Sequence, residues 1–454
     1  MRSISNGIKP EYLLFIGIFL LYNITTCVQF SSDVKPAALL PFLILKHHTL
    51  YFDGVMDFIN AAANGWGSTY NLVEVNGHWL SAYPIVTPIL LLPLYILHML
   101  CMIVFQGSYE YYSVLSKYCA SLMMVVASVL FYRVCEHLFN KRTAIITTIA
   151  FALGTFTWAI SSQSLWQHGT SELLLVIALL CIVKNELKNS VSDFLIIGVS
   201  FGLYIFNRPP DLFMFIPILY YVWMHREHIY AFLFWACASA APFAYYNIVS
   251  FGNLLGGYTT MGTSFVTEPI SWVQVIKNIL GFLISPNRGL FVFSPILILG
   301  IFGMYLVYKK RELPLWSFWM VSIGSMVLSL LFYSTHADSL LGGWTYGARY
   351  MICLLPFLVI FTGYAIQELW KYKWIIAALL VFSISIQAIG SWGYQFSTWN
   401  EKSDLSDRTR VWDTKDLLIV DSFKGIFKTE SVSLFIWPTL PPPIGYIVIW
   451  EKGK

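Results

Sequence analysis

The amino-acid sequence predicts an all-α polytopic membrane protein with about eleven transmembrane helices and a long first extracytoplasmic loop. Of its 454 residues, 57% are hydrophobic and 11% are charged, whereas a typical soluble domain has about 25% charged residues. The mean hydropathy is +0.66. Apolar runs of about 20 residues, the length at which a helix crosses a bilayer, recur along the chain. This composition excludes a soluble multidomain protein and a disordered one.

Taken in order, eleven apolar runs are interpreted as membrane helices. The first has a basic start and no small-residue cleavage site, so we predict a retained helix and not a removed signal peptide. The seven cysteines form no Cys-x-x-Cys pair, which indicates neither a disulfide framework nor a zinc site. The predicted spans are 11–30, 113–132, 143–162, 170–183, 193–207, 211–224, 229–248, 290–308, 314–335, 350–369 and 374–392.

The run at 84–105 is also long enough to cross, but it contains three prolines. Charge decides its placement, because short cytoplasmic loops collect Lys and Arg. If this run does not cross and the N-terminus is cytoplasmic, most loop Lys and Arg residues lie inside; if it crosses, the bias largely inverts. We therefore predict an interfacial or re-entrant segment within a first extracytoplasmic loop at 31–112. The cell-membrane domain then spans 1–392, and a small extracytoplasmic C-terminal region follows at 393–454.

This topology places the unusual polar residues on the outer face. Asp33 follows the first helix, and a carboxylate at the mouth of an apolar bundle can take a proton from an acceptor hydroxyl or amine. A local pair with Lys35 is the alternative. Asp53 and Asp57 are spaced i, i+4 and would share a helix face, which is more often a solvated one.

Arg288 and Arg349 each follow a Gly-rich stretch and each begin a membrane helix. A guanidinium beside free backbone N–H groups at a helix start binds phosphate well. The alternative is snorkelling to lipid headgroups. For Arg208, a local ion pair with Asp211 around two prolines is an equally good interpretation.

Trp166 and His168 lie in a short outer turn, where an aromatic ring beside polar groups is suited to sugar stacking and hydroxyl contacts. A structural histidine is the alternative. His336 and Asp338 are the only hint of a divalent metal site, and two ligands are a weak signal. No firm cofactor is predicted. The sequence has no phosphate-binding Gly-rich motif and no Asp-x-Asp for a metal-held nucleotide sugar, and no run of basic residues indicates nucleic acid.

Taken together, these features resemble the GT-C superfamily of membrane glycosyltransferases, particularly the protein O-mannosyltransferases and the bacterial lipid A aminoarabinose transferase. The resemblance covers roughly 11–392. It is carried by Asp33, by the proline-led stretch from Tyr83, and by two late motifs, Ser-Pro-Asn-Arg-Gly at 285–289 and Gly-Gly-Trp-Thr-Tyr-Gly-Ala-Arg-Tyr at 342–350. Protein mannosyltransferases carry two adjacent acids where Asp33 stands alone, and Tyr83 replaces a lysine of the aminoarabinose transferase.

The resemblance implies transfer of a sugar from a polyprenyl-phosphate donor to an external protein, lipid or glycan. Membrane lipid would surround the enzyme. Asp33 would be the catalytic base. A single well-placed carboxylate predicts inversion at the sugar. The expected phosphate ligands are Arg288, Arg349 and Lys35, and the expected sugar or acceptor contacts are Trp166, His168, Tyr346, Asp53 and Arg208.

Two other classes of function compete with this one. A transporter or lipid-linked flippase would place charged residues at mid-membrane depth and often shows inverted repeats, whereas the predicted spans are nearly free of charge. A non-catalytic membrane subunit is the third interpretation. The concentration of Asp, Arg and His on one predicted face argues against it.

Overall fold

The computed structural model describes residues 9–24, 32–56, 71–101, 109–261, 271–335, 342–343, 345–394, 397–399, 408–428, 431–435 and 446–451. These residues are mostly helical. The α-helices are α1 (Pro10–Tyr22), α2 (Lys35–His47), α3 (Val86–Cys101), α4 (Tyr109–Leu138), α5 (Lys141–Leu153), α6 (Gln167–Lys188), α7 (Val191–Asn207), α8 (Ile216–Met224), α9 (Ile229–Phe251), α10 (Tyr258–Met261), α11 (Trp272–Ile284), α12 (Leu290–Phe293), α13 (Ile298–Lys309), α14 (Trp316–Ser334), α15 (Leu355–Glu368), α16 (Lys373–Gly393) and α17 (Leu418–Ile426).

Within the described ranges, five segments are long and apolar enough to cross a membrane, judged by length and composition. They are Val114–Leu138, Arg226–Phe251, Trp316–Ser334, Arg349–Glu368 and Trp370–Gly393, and five shorter apolar helices accompany them. The helix is the expected form here because it satisfies its backbone hydrogen bonds internally in lipid. The predicted helical architecture with several apolar helices is confirmed, whereas the count of eleven spans stays a prediction.

Two small antiparallel hairpins, which the sequence analysis did not predict, accompany the helices. In the first loop, β1 (Leu72–Val75) pairs with β2 (His78–Ser81), with Leu72 opposite Ser81. The turn is Asn76-Gly77, with φ of 53° and 82°. That dipeptide suits the positive φ of a tight hairpin turn. A second hairpin joins β3 (Ser431–Phe435) to β4 (Tyr446–Glu451).

Two predicted spans are interrupted. The span at 143–162 ends its α-helix at Leu153 and continues as a π-helical turn, Thr157–Ser161; the Thr155 hydroxyl donates to Phe151 O at 2.6 Å beside this break. The span at 290–308 breaks at Ser294 because Pro295 lacks the N–H of a continuous helix. Apolar runs alone do not show such breaks.

Helix α11 was missed. It is 13 residues long and amphipathic, so it lacks the length of a continuous apolar span. Ser271 caps it by accepting a hydrogen bond from Gln274 N. Trp272 and Ile276 are exposed, whereas Val275 and Phe282 are buried.

Candidate active site

The predicted base and one predicted phosphate ligand contact each other at one end of the helix bundle. Asp33 lies in the turn that leads into α2, and Arg349 begins the 3-10 turn that leads into α15. Arg349 Nη1 lies 2.5 Å from Asp33 Oδ2, and each side chain is 11% exposed. The guanidinium lies over the rings of Trp166 at 5.0 Å and Tyr350 at 5.1 Å. A planar guanidinium is suited to such stacking.

The guanidinium of Arg208, like that of Arg349, lies near the ring of Tyr350. Arg208, directly after α7, pairs through Nε with Asp211 Oδ2 at 2.9 Å and donates to Tyr333 Oη at 3.1 Å. The Tyr333 hydroxyl in turn donates to Asp211. Arg208 lies 5.6 Å from the centroid of the Tyr350 ring, so Tyr350 is shared by both arginines. The local Arg208–Asp211 pair considered from the sequence is present.

Tyr350 is the centre of this cluster, and sequence reasoning did not assign it a role. Its ring stacks on Tyr333 with 5.1 Å between centroids and meets His168 edge-on at 6.3 Å. Trp166 lies 6.4 Å from His168. Five residues expected at the site therefore come together here: Asp33, Trp166, His168, Arg208 and Arg349. The signal for Tyr350 was its place beside Arg349 in the Gly-rich motif.

Three buried polar groups show where a ligand would find partners. Among the described residues, Arg349 Nε and His168 Nδ1 have no hydrogen-bond partner. Gln167 Oε1 accepts from the Tyr258 hydroxyl at 2.9 Å, and its Nε2 is likewise unpaired within the described part. Buried polar groups are almost always satisfied. A polar ligand with acceptor oxygens fits the N–H donors of Arg349 and Gln167, and a hydroxyl group fits either tautomer of His168.

Arg288 lies behind the cluster and supports it. Its side chain is fully buried and donates to the carbonyls of Thr345 and Gly343. Both carbonyls belong to the loop that delivers Arg349. The loop bends through positive φ at Gly347 (80°), where a Cβ would lie 2.3 Å from Phe156, so this position requires glycine. The structure therefore places Arg288 as a support of the Arg349 loop.

The C-terminal region packs against the segment that contains Asn287 and Arg288. Asn287 Nδ2 donates to Arg410 O at 3.1 Å and to Asp413 O at 2.9 Å, while its Oδ1 accepts from Leu418 N at 2.7 Å. Arg288 and Arg410 both lie over the ring of Trp399, at 5.1 and 4.0 Å. Residues 408–418 are thus packed onto the segment that holds Arg288.

The other predicted site residues that the structure describes, Tyr346, Lys35 and Asp53, differ in their surroundings. Tyr346 is in the core, and its hydroxyl donates to Ile386 O at 2.9 Å. Lys35 is 5% exposed, and burial lowers the pKa of its ammonium. Asp53 is 41% exposed and lies 2.7 Å from His78 Nδ1. Although burial opposes it, hydrogen bonds from Trp79 N–H and His78 hold the pKa of Asp53 below its usual range.

Three predicted residues, Asp57, His336 and Asp338, lie outside the described residues. Within the part of the chain that is described, no group of three or more His, Cys, Asp or Glu side chains could hold a metal ion.

Glu172 was missed by the sequence analysis. It lies in α6, one turn beyond His168, and is fully buried. Its Oε1 accepts from the Thr157 hydroxyl of the π-helical turn at 2.6 Å, and its Oε2 has no hydrogen bond to any described residue. The available signal was a carboxylate inside an apolar run.

Comparisons with known proteins agree with the resemblance found in the sequence. Residues 91–247 match the profile of the family described as dolichyl-phosphate-mannose-protein mannosyltransferase. The match includes Trp166, His168 and Arg208 and excludes Asp33 and Arg349. No curated protein is significantly similar in sequence.

Solved structures of an archaeal oligosaccharyltransferase from Archaeoglobus fulgidus are similar. The apo form is 11% identical, with a TM-score of 0.47, over 89% of this chain and 60% of that one. The complex with an inhibitory peptide and a dolichol-phosphate is 12% identical, with a TM-score of 0.46, over 89% and 59%. The chain thus spans less than two thirds of the length of these proteins. Over residues 91–247, the match to the mannosyltransferase family confirms the resemblance to GT-C glycosyltransferases.

Proposed function

We propose that the protein is an integral membrane glycosyltransferase that moves a sugar from a polyprenyl-phosphate donor to an extracytoplasmic protein, lipid or glycan. The observation that carries the proposal is the Asp33–Arg349 pair, with Arg349 over the rings of Trp166 and Tyr350. A base and a phosphate ligand are the two groups that this transfer needs. The matched family, whose name gives dolichyl phosphate mannose as donor and protein as acceptor, supports the same chemistry.

The ion pair suggests how binding and catalysis are coupled. Asp33 occupies Nη1 of Arg349, so an anionic donor that takes the whole guanidinium fork competes with Asp33 for Arg349. When the donor phosphate takes Arg349, Asp33 loses its contact with the Arg349 guanidinium. Loss of a cationic partner raises the proton affinity of a carboxylate. Donor binding therefore prepares Asp33 to act as a base.

The reaction is a single displacement. The acceptor O–H or N–H gives its proton to Asp33 as its oxygen or nitrogen forms a bond to the anomeric carbon. The bond from that carbon to the phosphate oxygen breaks, and its electron pair leaves on the polyprenyl phosphate. Arg349, with Arg208 near the same Tyr350 ring, stabilises the charge that develops there. Asp33 acts as the base, and the second carboxylate of the cluster, Asp211, is engaged by Arg208 and Tyr333, so a single displacement with inversion is expected.

The surroundings of the pair fit a sugar. Trp166 presents a ring beside Arg349, and His168 and Gln167 carry polar atoms without partners among the described residues. We place the site on the extracytoplasmic side of the cell membrane, with a cytoplasmic N-terminus and an extracytoplasmic C-terminus, because the distribution of Lys and Arg in the sequence favours that orientation.

The test is transfer from a panel of radiolabelled polyprenyl-phosphate sugars of known anomeric configuration, with the purified full chain in lipid nanodiscs. We expect turnover of at least one donor, and a product whose anomeric configuration is opposite to that of the donor. Retention would contradict the single displacement. Absence of turnover with every donor and with peptide, lipid and glycan acceptors would contradict the enzyme class.

A transporter or lipid-linked flippase is the second candidate, and Glu172 is the observation that favours it. An ionisable residue buried in an apolar helix is a common mark of a transport path. If this candidate is correct, labelled lipid-linked sugar crosses proteoliposome membranes, Glu172→Gln slows the flux, and Asp33→Asn leaves it unchanged. If the glycosyltransferase is correct, flux equals that of protein-free vesicles.

A further inference from the structure

A short amphipathic helix lies against the Gly393 end of the last membrane helix. Helix α17 approaches α16 so closely that a Cβ on Gly393 would lie 1.9 Å from Ser422 O. Leu418 and Ser422 are buried. Asp421 also accepts from the Ser397 hydroxyl at 2.7 Å, in the segment that follows α16. Helix α17 is thus packed against the Gly393 end of α16.

The opposite face of α17 is apolar and exposed. Val420, Phe423 and Phe427 are 45%, 48% and 67% exposed, and the rings of Phe423 and Phe427 meet edge-on at 5.3 Å. Lys424 lies exposed on the same side. A short helix with aromatic residues and a lysine on its outward face is typical of one that lies in the plane of a membrane interface.

The length of α16 indicates what covers this face. Helix α16 has 21 residues, which corresponds to about 32 Å of helix against a hydrocarbon core of about 30 Å. Its Gly393 end therefore reaches the boundary between lipid and water. Because α17 packs on that end, it lies at the same boundary.

A second amphipathic helix, α11, ends close to the residue that contacts the start of α17, Asn287. Helix α11 exposes Trp272, Ile276 and Leu280 and ends three residues before Asn287. Asn287 Oδ1 accepts the N–H of Leu418 at the start of α17. Two helices with exposed apolar faces thus meet at one asparagine.

We propose that α17 is an interfacial membrane helix, with Val420, Phe423 and Phe427 in contact with lipid acyl chains and Lys424 at the level of the headgroups. Asn287 also connects α17 to the active-site cluster. It directly precedes Arg288, and Arg288 donates to the Thr345 carbonyl in the loop before Arg349. Contact of α17 with the lipid surface therefore fixes the depth of the active-site cluster in the membrane.

The test is photo-crosslinking of the full chain in nanodiscs made of radiolabelled phosphatidylcholine and phosphatidylglycerol. Phe423 is replaced by p-benzoylphenylalanine, which preserves the aromatic ring. The matched control has the same replacement at Thr414, an exposed position in the polar turn before α17. We expect at least fivefold more labelled lipid on the chain from position 423.

Three results would overturn the proposal: equal lipid labelling at both positions, no lipid labelling at position 423, or crosslinks from position 423 mainly to a second copy of the chain. Both positions are exposed, so neither replacement disturbs the core. An unfolding temperature within about 2 °C of the wild type verifies that for each variant.

Discussion

Asp33→Asn is expected to slow sugar transfer by several orders of magnitude, about 10²–10⁴, while leaving donor binding intact or stronger. The amide keeps the shape of the side chain and cannot accept a proton at neutral pH, so kcat should fall by about 10²–10⁴, the usual contribution of a general base. The variant also removes the carboxylate that competes for Arg349. Polyprenyl phosphate should therefore bind at least as tightly as to the wild type. Turnover and equilibrium binding are measured on the same preparation.

Glu74→Gln is the matched control for that experiment. Glu74 is a carboxylate of the first loop, exposed on β1 and outside the cluster, so its amide variant should keep wild-type turnover. If Asp33→Asn retains turnover, the base lies elsewhere. If both turnover and binding are lost, Asp33 acts through the fold of the loop and the proposed role is contradicted.

The architecture could be predicted where it depends on the length of the apolar runs in the sequence. Runs of apolar residues predicted most of the long helices, because burial of a helix in lipid depends on composition. Helix α11 was missed because it is short and amphipathic. The break at Ser294 depends on the local effect of Pro295. The first-loop hairpin depends on the turn chemistry of Asn76-Gly77, which a search for spans overlooks.

The site residues could be predicted where a charged side chain lies at the end of a predicted membrane helix. Asp33 and Arg349 are 316 residues apart in sequence, and each was singled out as a polar group at the same predicted end of the bundle. Arg288 has the same local signature as Arg349, yet it points at the carbonyls of Thr345 and Gly343. A sequence pattern indicates that an arginine is present, whereas only packing determines whether it faces a ligand or a loop.

Arg349→Lys is expected to weaken donor binding by about 10- to 100-fold, although the positive charge is kept. Lysine cannot form the planar contact with Trp166 and Tyr350, and it offers a point charge in place of a fork that binds two phosphate oxygens. A charge-assisted hydrogen bond is worth about 1.5–3 kcal/mol, which corresponds to that range of affinity. Binding of polyprenyl phosphate to the purified variant, with Arg133→Lys as the control for an exposed arginine far from the cluster, measures the effect.

The same substitution in the Asp33→Asn background separates two roles of Arg349. If Arg349 binds the donor phosphate, Arg349→Lys weakens binding in the absence of Asp33 as well, because the lost contact is with the ligand. If Arg349 serves only to neutralise Asp33, the effect disappears once the carboxylate is gone. A double-mutant cycle on donor affinity therefore tests the exchange of partners directly. Loss of the Arg349→Lys effect in the Asp33→Asn protein would exclude Arg349 as a phosphate ligand and would leave it as a structural partner of Asp33.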